Sequence, residues 1–273
     1  MEEAFFLENE GMNIFAILHK PRDLKQKKGI IFCHPFGEEK QFSHRVFVKF
    51  ARELCDKNYY VLRFDCRGYG DSQGNFEDTT LETQVSDTIK AIEFLKVQLG
   101  LDKVDLLGLR MGGTIAAMAA GRNSSVEKLI LWFPIISGQG YFDELLRIKR
   151  LSELTNNMTS LSKKEILEEL QLKGRSDILG YCFTKEMYHQ FLEIDKNIPV
   201  LNLMGPILIT AMKYDQKQCK LFENLSEVYN KNTHNVCNLK FIEDKSFWTL
   251  QSLYNCYFPE NLYCETMQWI LGI

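Results

Sequence analysis

The residues with the most specific chemistry form a glycine-rich turn around Arg110. Segment 108–113 reads GLRMGG and joins a buried apolar run to a stretch rich in Ala and Gly, which predicts a sharp turn from a strand into a helix. The Arg110 guanidinium stays protonated at ordinary pH and offers five N–H donors but no acceptor. It can bind an anion at the start of a helix, but it cannot attack a carbonyl group.

Two neighbouring pairs of residues could join a nucleophile to a base. They are Cys33 with His34, and Ser43 with His44. Adjacent residues of a strand point to opposite faces, so Cys33 and His34 are not expected to meet. We expect His34 to brace the loop beside a pocket through a backbone hydrogen bond instead.

The sequence gives little support to cofactor or metal chemistry. The first predicted parallel unit does not open with Gly-x-Gly-x-x-Gly, and there is no P-loop. The eight cysteines lie far apart with no Cys-x-x-Cys pair, which argues against a zinc site or a dense disulfide framework. We therefore expect no cofactor, no metal, and reduced, mostly buried thiols.

Composition excludes several classes of protein. The 273 residues are 45% hydrophobic and 25% charged, with a net charge of −3, so neither a disordered chain nor non-specific binding of nucleic acid is expected. The longest apolar run, 129–136, has eight residues, against the roughly 20 that a membrane-spanning helix needs. The first residues lack a signal-peptide pattern, so we expect a cytoplasmic protein. Its oligomeric state stays open.

Strand and helix signals alternate along most of the chain. An antiparallel hairpin is predicted over residues 4–18, and continuous apolar runs then alternate with amphipathic helical segments. This alternation predicts an α/β fold with a mainly parallel sheet flanked by helices. The predicted strands after the hairpin are 29–33, 59–64, 104–107, 128–133, 206–211 and 238–242.

Residues 138–198 interrupt this alternation. Helical signals take over, including a capping box at Ser162 and a stop at Gly174. We interpret the segment as a helical lid inserted after the strand near 128–133, between two parts of one core domain, residues 1–137 and 199–273. Such a lid is expected to cover a pocket at the carboxyl ends of the strands.

Three segments resemble the α/β-hydrolase superfamily, in its serine aminopeptidase-like and esterase branch. Segment 65–74, DCRGYGDSQG, resembles the Asp-x-Arg-Gly-x-Gly-x-Ser segment of these enzymes. Segment 108–112 has the glycines of their Gly-x-Ser-x-Gly nucleophile elbow, and His34-Pro35 stands where they place a loop of the oxyanion hole. The resemblance covers roughly residues 10–272, and it implies that Asp65, Arg67 and Asp71 stabilise their own loop.

The sequence departs from this family at two of the three catalytic positions. The family mechanism needs a nucleophile at the elbow, an acid after a late strand and a histidine after the last strand. Arg110 takes the first position, Asp215 is a candidate for the second, and no histidine follows His234. We therefore predict that the inherited hydrolysis of esters, amides or thioesters is lost.

Arg110 needs a negative partner, because a cation is unfavourable at a helix N-terminus. One interpretation is an internal partner, Asp215, Glu243 or Asp244. The other is a bound carboxylate or phosphate, or an acyl group, held under the lid by Arg110 and the amides around Met111 and Phe36. His34 lies beside this pocket, and Phe247 and Trp248 are expected to pack over it.

Two further hypotheses stay open. The chain could be a working hydrolase with an unorthodox site that uses Asp215 or Cys182, or an interaction scaffold whose lid binds a protein. The arginine elbow, together with Phe247-Trp248 after the last strand, is also similar to hydrolase-like proteins encoded beside bacterial exosortase systems. That similarity implies a bacterial cytoplasmic protein linked to exopolysaccharide or cell-surface export.

Overall fold

Buried apolar strands form one eight-stranded sheet in the order β1-β2-β4-β3-β5-β6-β9-β10. The computed structural model describes residues 1–22, 27–195, 205–213, 216–232 and 236–273, without the side chains of residues 216, 217 and 232. β1 and β2 form the predicted hairpin, β2 pairs antiparallel with β4, and the other pairs of this sheet are parallel. The described strands are β1 Glu2–Asn9, β2 Met12–His19, β3 Lys28–Cys33, β4 Tyr59–Phe64, β5 Val104–Leu109, β6 Val126–Trp132, β7 Arg175–Ile178, β8 Tyr181–Thr184, β9 Ile207–Met212 and β10 Cys237–Ile242.

Helices cover both faces of the sheet, which is why the central strands are largely apolar and are buried along their whole length. All residues of β4, β5 and β9 are buried, as expected for parallel strands covered on two sides. Ile30 and Phe32 join one core cluster, while Ile31 and Cys33 join the other. The described helices are α1 Glu38–Asp56, α2 Leu81–Leu99, α3 Met111–Arg122, α4 Gly138–Thr155, α5 Lys163–Lys173, α6 Lys185–Ile194, α7 Gln216–Asn232, α8 Leu250–Tyr254 and α9 Glu260–Leu271.

The α/β fold predicted from the sequence is confirmed, and most of its elements lie where the apolar patterns placed them. The capping box at Ser162 and the left-handed Gly174 at the end of α5 are both present. Two helices differ from the prediction. α1 begins at Glu38, four residues before the segment 42–56 in which the apolar spacing predicts a helix, and the five-residue α8 was not predicted.

The insert, which we define as residues 138–195, contains α4, α5 and α6 and also a hairpin of β7 and β8. The prediction of a purely helical segment was therefore wrong. Each strand has only four residues, too few to show a two-residue period. Leu179 and Gly180 both have positive φ, 57° and 82°, the backbone of a tight two-residue hairpin turn. Residues 196–198 of the predicted lid lie outside the described residues.

A helix that spans a membrane must be both long and apolar. Among the described residues, no helix is both long enough and apolar enough to cross a bilayer. The longest described helices, α1 and α2, have 19 residues each and are amphipathic, with one face buried against the sheet.

The turn from β5 into α3 is possible only because Gly112 has no side chain. A Cβ at Gly112 would lie 2.3 Å from the carbonyl oxygen of Cys33 and 2.4 Å from that of His34. Both distances are far below van der Waals contact, and both neighbours are backbone atoms that cannot rotate away. The carbonyls of Cys33 and His34 therefore fix how closely α3 approaches the sheet.

We expect Gly112→Ala to lower the free energy of unfolding by about 2 to 3 kcal/mol, because the backbone must move apart. Gly113→Ala is the matched control on the same helix, since its Cβ would meet its nearest neighbours at 3.1 to 3.4 Å. That variant should change the stability by no more than about 1 kcal/mol. Urea denaturation of both variants measures the difference, and equal effects would contradict this account of the turn.

Candidate functional site

Arg110 occupies the tip of a strained turn between β5 and α3. Its backbone has φ 53° and ψ −121°, a region that non-glycine residues rarely adopt. The Arg110 N–H donates to the Trp132 carbonyl at 2.8 Å, and its own carbonyl accepts from Gly113 at 2.9 Å. These hydrogen bonds hold the turn in place. The Arg110 side chain extends from it, beyond the carboxyl end of the sheet.

Two carboxylates from different helices bind the Arg110 guanidinium. Arg110 Nε donates to Glu39 Oε1 at 3.3 Å, and its Nη2 donates to Glu144 Oε2 at 2.7 Å. Glu39 lies in the first turn of α1, and Glu144 lies in α4 of the insert. The ion pairs therefore connect the elbow to the core helix on one side and to the insert on the other.

An internal partner for Arg110 was predicted, but Glu243 and Asp244 were the wrong candidates. Asp244 Oδ2 accepts from the backbone N–H of Leu262 at 2.7 Å, and its Oδ1 accepts from the Tyr257 hydroxyl at 2.9 Å. Asp244 therefore caps the N-terminus of α9. The positive partial charge at that helix end attracts its carboxylate, as a guanidinium group would. Glu243 is exposed. Asp215, the candidate triad acid, lies outside the described residues.

Aromatic rings sandwich the guanidinium. Arg110 Cζ lies 5.2 Å from the centre of the Tyr141 ring and 5.3 Å from the centre of the Trp248 ring. Cation–π attraction of this kind strengthens when the cation is shielded from water, and only 12% of the Arg110 side chain is exposed. The two rings therefore shield part of the guanidinium, and a further partner must reach the part that they leave open.

Burial controls ionisation at this site. Burial raises the pKa of the Glu39 carboxyl to about 7, because Arg110 only partly offsets the loss of hydration and Glu144 adds to the shift. Burial also opposes the charge of Arg110, but the attraction of Glu39 and Glu144 outweighs it and raises the pKa of the guanidinium. Two acids thus share one cation, and the buried Glu39 keeps its proton to a higher pH than an ordinary glutamate does.

An apolar cavity of about 240 Å³ opens beside Arg110. Residues of α4 and α7 line it, and the polar part of its wall comes from Arg110, Ser137, Glu144 and Gln218. The remaining lining is predominantly apolar and comes from the loop after β6, the end of β9, α7 and Trp248. These apolar residues are Phe133, Pro134, Ile135, Ile136, Met212, Leu221, Phe222 and Trp248.

Several buried polar atoms near the elbow lack a hydrogen-bond partner among the described residues. Among them is His34 Nδ1, whereas the Tyr141 hydroxyl approaches the Glu39 carboxyl closely enough to lower its pKa in part. The prediction that His34 braces its loop through a backbone hydrogen bond was wrong for this nitrogen. The His34 ring stacks on Phe47 instead, with centroids 4.7 Å apart, and burial lowers its pKa well below the ordinary value.

The other predicted ligand-binding residues lie at different depths. Trp248 lines the cavity, whereas Phe247 is buried behind it and contacts Trp132 and Phe133. Phe36 is buried among the aromatic residues of the insert, 5.6 Å from the Phe191 ring. The Met111 side chain is fully buried in the core, although its N–H, at the first position of α3, has no partner within its own helix.

The candidate nucleophiles outside the elbow lie in surroundings that favour a structural role over a catalytic one. Ser43 donates to the carbonyl of Glu39 in its own helix at 2.7 Å. Burial raises the pKa of the Cys33 thiol to about 12 and also raises the pKa of the Cys182 thiol. Phe183 faces the core, so the neighbouring Cys182 points to the opposite side of β8.

The loop after β4 is held by ion pairs. Arg67 pairs with Asp87 at 2.6 Å and with Glu10 at 2.9 Å. Asp65 pairs with Lys40 at 2.8 Å and also accepts from the backbone N–H of Asp71. These residues stabilise their own loop and its neighbours, as the resemblance implied.

Sequence reasoning missed Glu39, Glu144 and Tyr141. Glu38 and Glu39 directly follow Gly37, and adjacent acids after a glycine are a recognisable signal for the first turn of a helix. That signal would have placed Glu39 beside the elbow. Glu144 and Tyr141 gave no such signal, because their approach to Arg110 depends on how the insert packs.

Comparisons with known proteins agree with the fold. The family model for serine aminopeptidase, S33, matches residues 25–197. The chain belongs to the serine aminopeptidase S33 family. It is 35% identical to the human protein ABHD12B over 91 residues, 33% of this chain and 24% of the relative. Est1E from Butyrivibrio proteoclasticus, solved with ferulic acid, has 20% identity and a TM-score of 0.64, covering 98% of this chain and 100% of that chain.

A second relative matches a longer part of this S33 family member. A 31.7 kDa protein of the traX-finO intergenic region of Escherichia coli is 26% identical over 184 residues, 64% of this chain and 63% of the relative. The matched segments thus span about a quarter of the human relative and less than two thirds of the bacterial one. The similarity to exosortase-associated proteins, a bacterial origin and a cytoplasmic location stay predictions.

The raised pKa of Glu39 predicts how stability changes with pH. As the pH rises from about 5 to about 7, the unfolded chain has already released the Glu39 proton while the native state still holds it. The contribution of Glu39 to the free energy of unfolding of the wild type therefore falls over this range. Glu39→Gln, which cannot ionise, should gain on the order of 1 to 3 kcal/mol relative to the wild type between about pH 5 and pH 8.

Urea denaturation at several pH values measures this difference. Glu38→Gln is the matched control, because Glu38 is exposed in the same turn of α1. That variant should show no relative gain with rising pH, since an exposed acid near a helix N-terminus is most favourable when ionised. Parallel profiles for the wild type and Glu39→Gln would contradict the assigned ionisation.

Proposed function

We propose that this S33 family member binds a small acyl compound in the cavity beside Arg110 and does not cleave it. The apolar walls hold the acyl chain, and the free edge of the guanidinium donates to the carbonyl oxygen. The observation that carries the proposal is the side chain at the elbow, a buried cation fixed by Glu39 and Glu144. A nucleophile is needed there for the inherited mechanism, and guanidinium cannot serve as one.

The number of donors leaves room for a ligand. Arg110 uses two of its N–H groups for Glu39 and Glu144, and a guanidinium has five. The remaining donors lie on a residue that lines the cavity. A carbonyl oxygen there gains a hydrogen bond from a charged donor, a stronger interaction than one between neutral groups.

Electrostatics favour an uncharged acyl group over a free anion. Glu39 and Glu144 already neutralise Arg110, so a ligand carboxylate meets their repulsion as well as the attraction of the guanidinium. An ester, amide or thioester carbonyl carries no such cost. The exposed fraction of Glu144 is 34%, which leaves one route for an anion, the displacement of Glu144 towards solvent, and makes an anionic ligand the second candidate.

The alternative of an unorthodox hydrolase fits the described residues less well. The Cys182 thiol lies on β8 near Glu77, and burial raises its pKa, which lowers the fraction of reactive thiolate. Its side chain points away from the core that faces the elbow. Asp215, the other residue of that hypothesis, lies outside the described residues.

Restoring a serine should not restore hydrolysis. We expect Arg110→Ser, combined with Glu39→Gln and Glu144→Gln to keep the charges balanced, to cleave p-nitrophenyl butyrate no faster than buffer. General base catalysis supplies roughly 100- to 10,000-fold, and the loop 243–248 has no histidine. Turnover by the wild type, or labelling of either protein by a fluorophosphonate, would contradict the proposed loss of catalysis.

Binding of an acyl chain should appear as thermal stabilisation. At about 100 times its dissociation constant a ligand adds about 2.7 kcal/mol of stability, so saturating octanamide should raise the Tm by several degrees. Octanoate should raise it less, because Glu39 and Glu144 repel its carboxylate. A larger shift with octanoate would favour the anionic ligand instead.

Two matched leucine variants locate the binding. Leu221 lines the cavity and is 40% exposed, so Leu221→Glu should remove most of the octanamide shift without unfolding the chain. Leu172, 86% exposed on α5, supplies the control Leu172→Glu, which should keep the shift. If both variants respond alike, the cavity is not the binding site.

A further inference from the structure

One side of α4 exposes a row of large apolar side chains. Ile148, Leu151 and Leu154 follow one another at intervals of three residues and are 39%, 54% and 57% exposed, so they share a side of the helix. The buried side chains of α4, which include Tyr141 and Leu145, face the core instead. The helix therefore has two apolar sides, and only one of them is packed.

The loop after α4 extends this surface. Met158 and Leu161 are 59% and 38% exposed. We call the five side chains the insert patch, that is Ile148, Leu151, Leu154, Met158 and Leu161. Scattered exposed apolar residues are ordinary in proteins, but several along one short segment are typical of a surface that contacts a partner or a membrane.

Charges on α4 are unbalanced next to the insert patch. Each of its acids has a basic partner: Asp143 pairs with Lys163 at 2.6 Å, Glu144 with Arg110 at 2.7 Å, and Glu153 with Lys149. Arg147 and Arg150 are exposed and form no ion pair with a described residue. Two uncompensated guanidinium groups thus alternate along the helix with Ile148 and Leu151.

The insert patch continues from the mouth of the cavity. Glu144 lines the cavity, and Glu144, Ile148 and Leu151 are four and three residues apart, which places them along one line on the helix surface. A helix rises 1.5 Å per residue, so Leu151 lies roughly 10 Å beyond the cavity wall. Whatever covers the insert patch therefore lies beside the entrance to the cavity.

We propose that the insert patch docks on an anionic lipid surface. Apolar side chains interleaved with unpaired basic ones are the pattern of a helix that lies in the interface of a membrane, with the apolar groups among the acyl chains and the arginines at the headgroups. No described helix can cross a bilayer, so the contact is peripheral. Docking there would present the cavity mouth to a source of acyl compounds.

Co-sedimentation with vesicles tests the proposal on the full chain. We expect the wild type to bind phosphatidylcholine vesicles that contain phosphatidylserine, to bind pure phosphatidylcholine far more weakly, and to be released by salt. Arg147→Gln with Arg150→Gln should weaken binding to the anionic vesicles by about thirtyfold, since each basic residue near such a surface contributes about fivefold. Leu151→Ser with Leu154→Ser should weaken it by more than about tenfold.

The matched controls change exposed residues near the amino ends of the parallel strands, opposite the end of the sheet that carries the insert. Val97 is 85% exposed at the end of α2, and Val97→Ser should leave binding unchanged. Lys57→Gln with Lys103→Gln removes two exposed charges and should also have little effect.

Three results would overturn the proposal. They are no preference for anionic vesicles, equal losses in the control and patch variants, and a dimer in sedimentation velocity that Leu151→Ser with Leu154→Ser abolishes. The last would assign the insert patch to a second copy of the chain. These measurements need no ligand in the cavity, so they stand or fall separately from the proposed binding of an acyl compound.

Discussion

A buried guanidinium that must be neutralised organises the centre of this molecule. The turn at Arg110 places a cation at the N-terminal end of α3, where the helix itself already carries positive partial charge. Glu39 and Glu144 supply the compensation. Because one acid comes from α1 and the other from α4, the electrostatic requirement of a single side chain also determines how the insert is held against the core.

The same interaction shapes the cavity. Tyr141 and Trp248 lie within cation–π distance of the guanidinium and shield part of it, and most of the surrounding wall is apolar. In relatives with a serine, this position is the place of attack on a carbonyl carbon. Here Arg110 holds that position, and under the proposed function its guanidinium donates hydrogen bonds to a carbonyl oxygen, because it has no electron pair with which to attack the carbon.

Much of the fold could be predicted from sequence because it depends on local patterns. Continuous apolar runs located β4 and β5 closely, and the glycines of 108–113 located the turn. The partners of Arg110 could not be found this way, because Glu39 and Glu144 lie 71 and 34 residues away along the chain. Asp244 was a reasonable candidate that another positive site, the start of α9, already binds. The β7–β8 hairpin was missed because its strands are too short for a periodic signal.

The position of Glu144 makes the chemistry of the ligand matter to the insert. An uncharged acyl group can use the free edge of Arg110 and leave the ion pair with Glu144 in place, so α4 stays attached to the elbow. An anionic ligand competes with Glu144 for the same cation, and any success loosens the contact that holds α4. The exposed row of Ile148, Leu151 and Leu154 belongs to that helix. The charge of the bound ligand would therefore affect how α4 and its insert patch are held, through the carboxylate of Glu144.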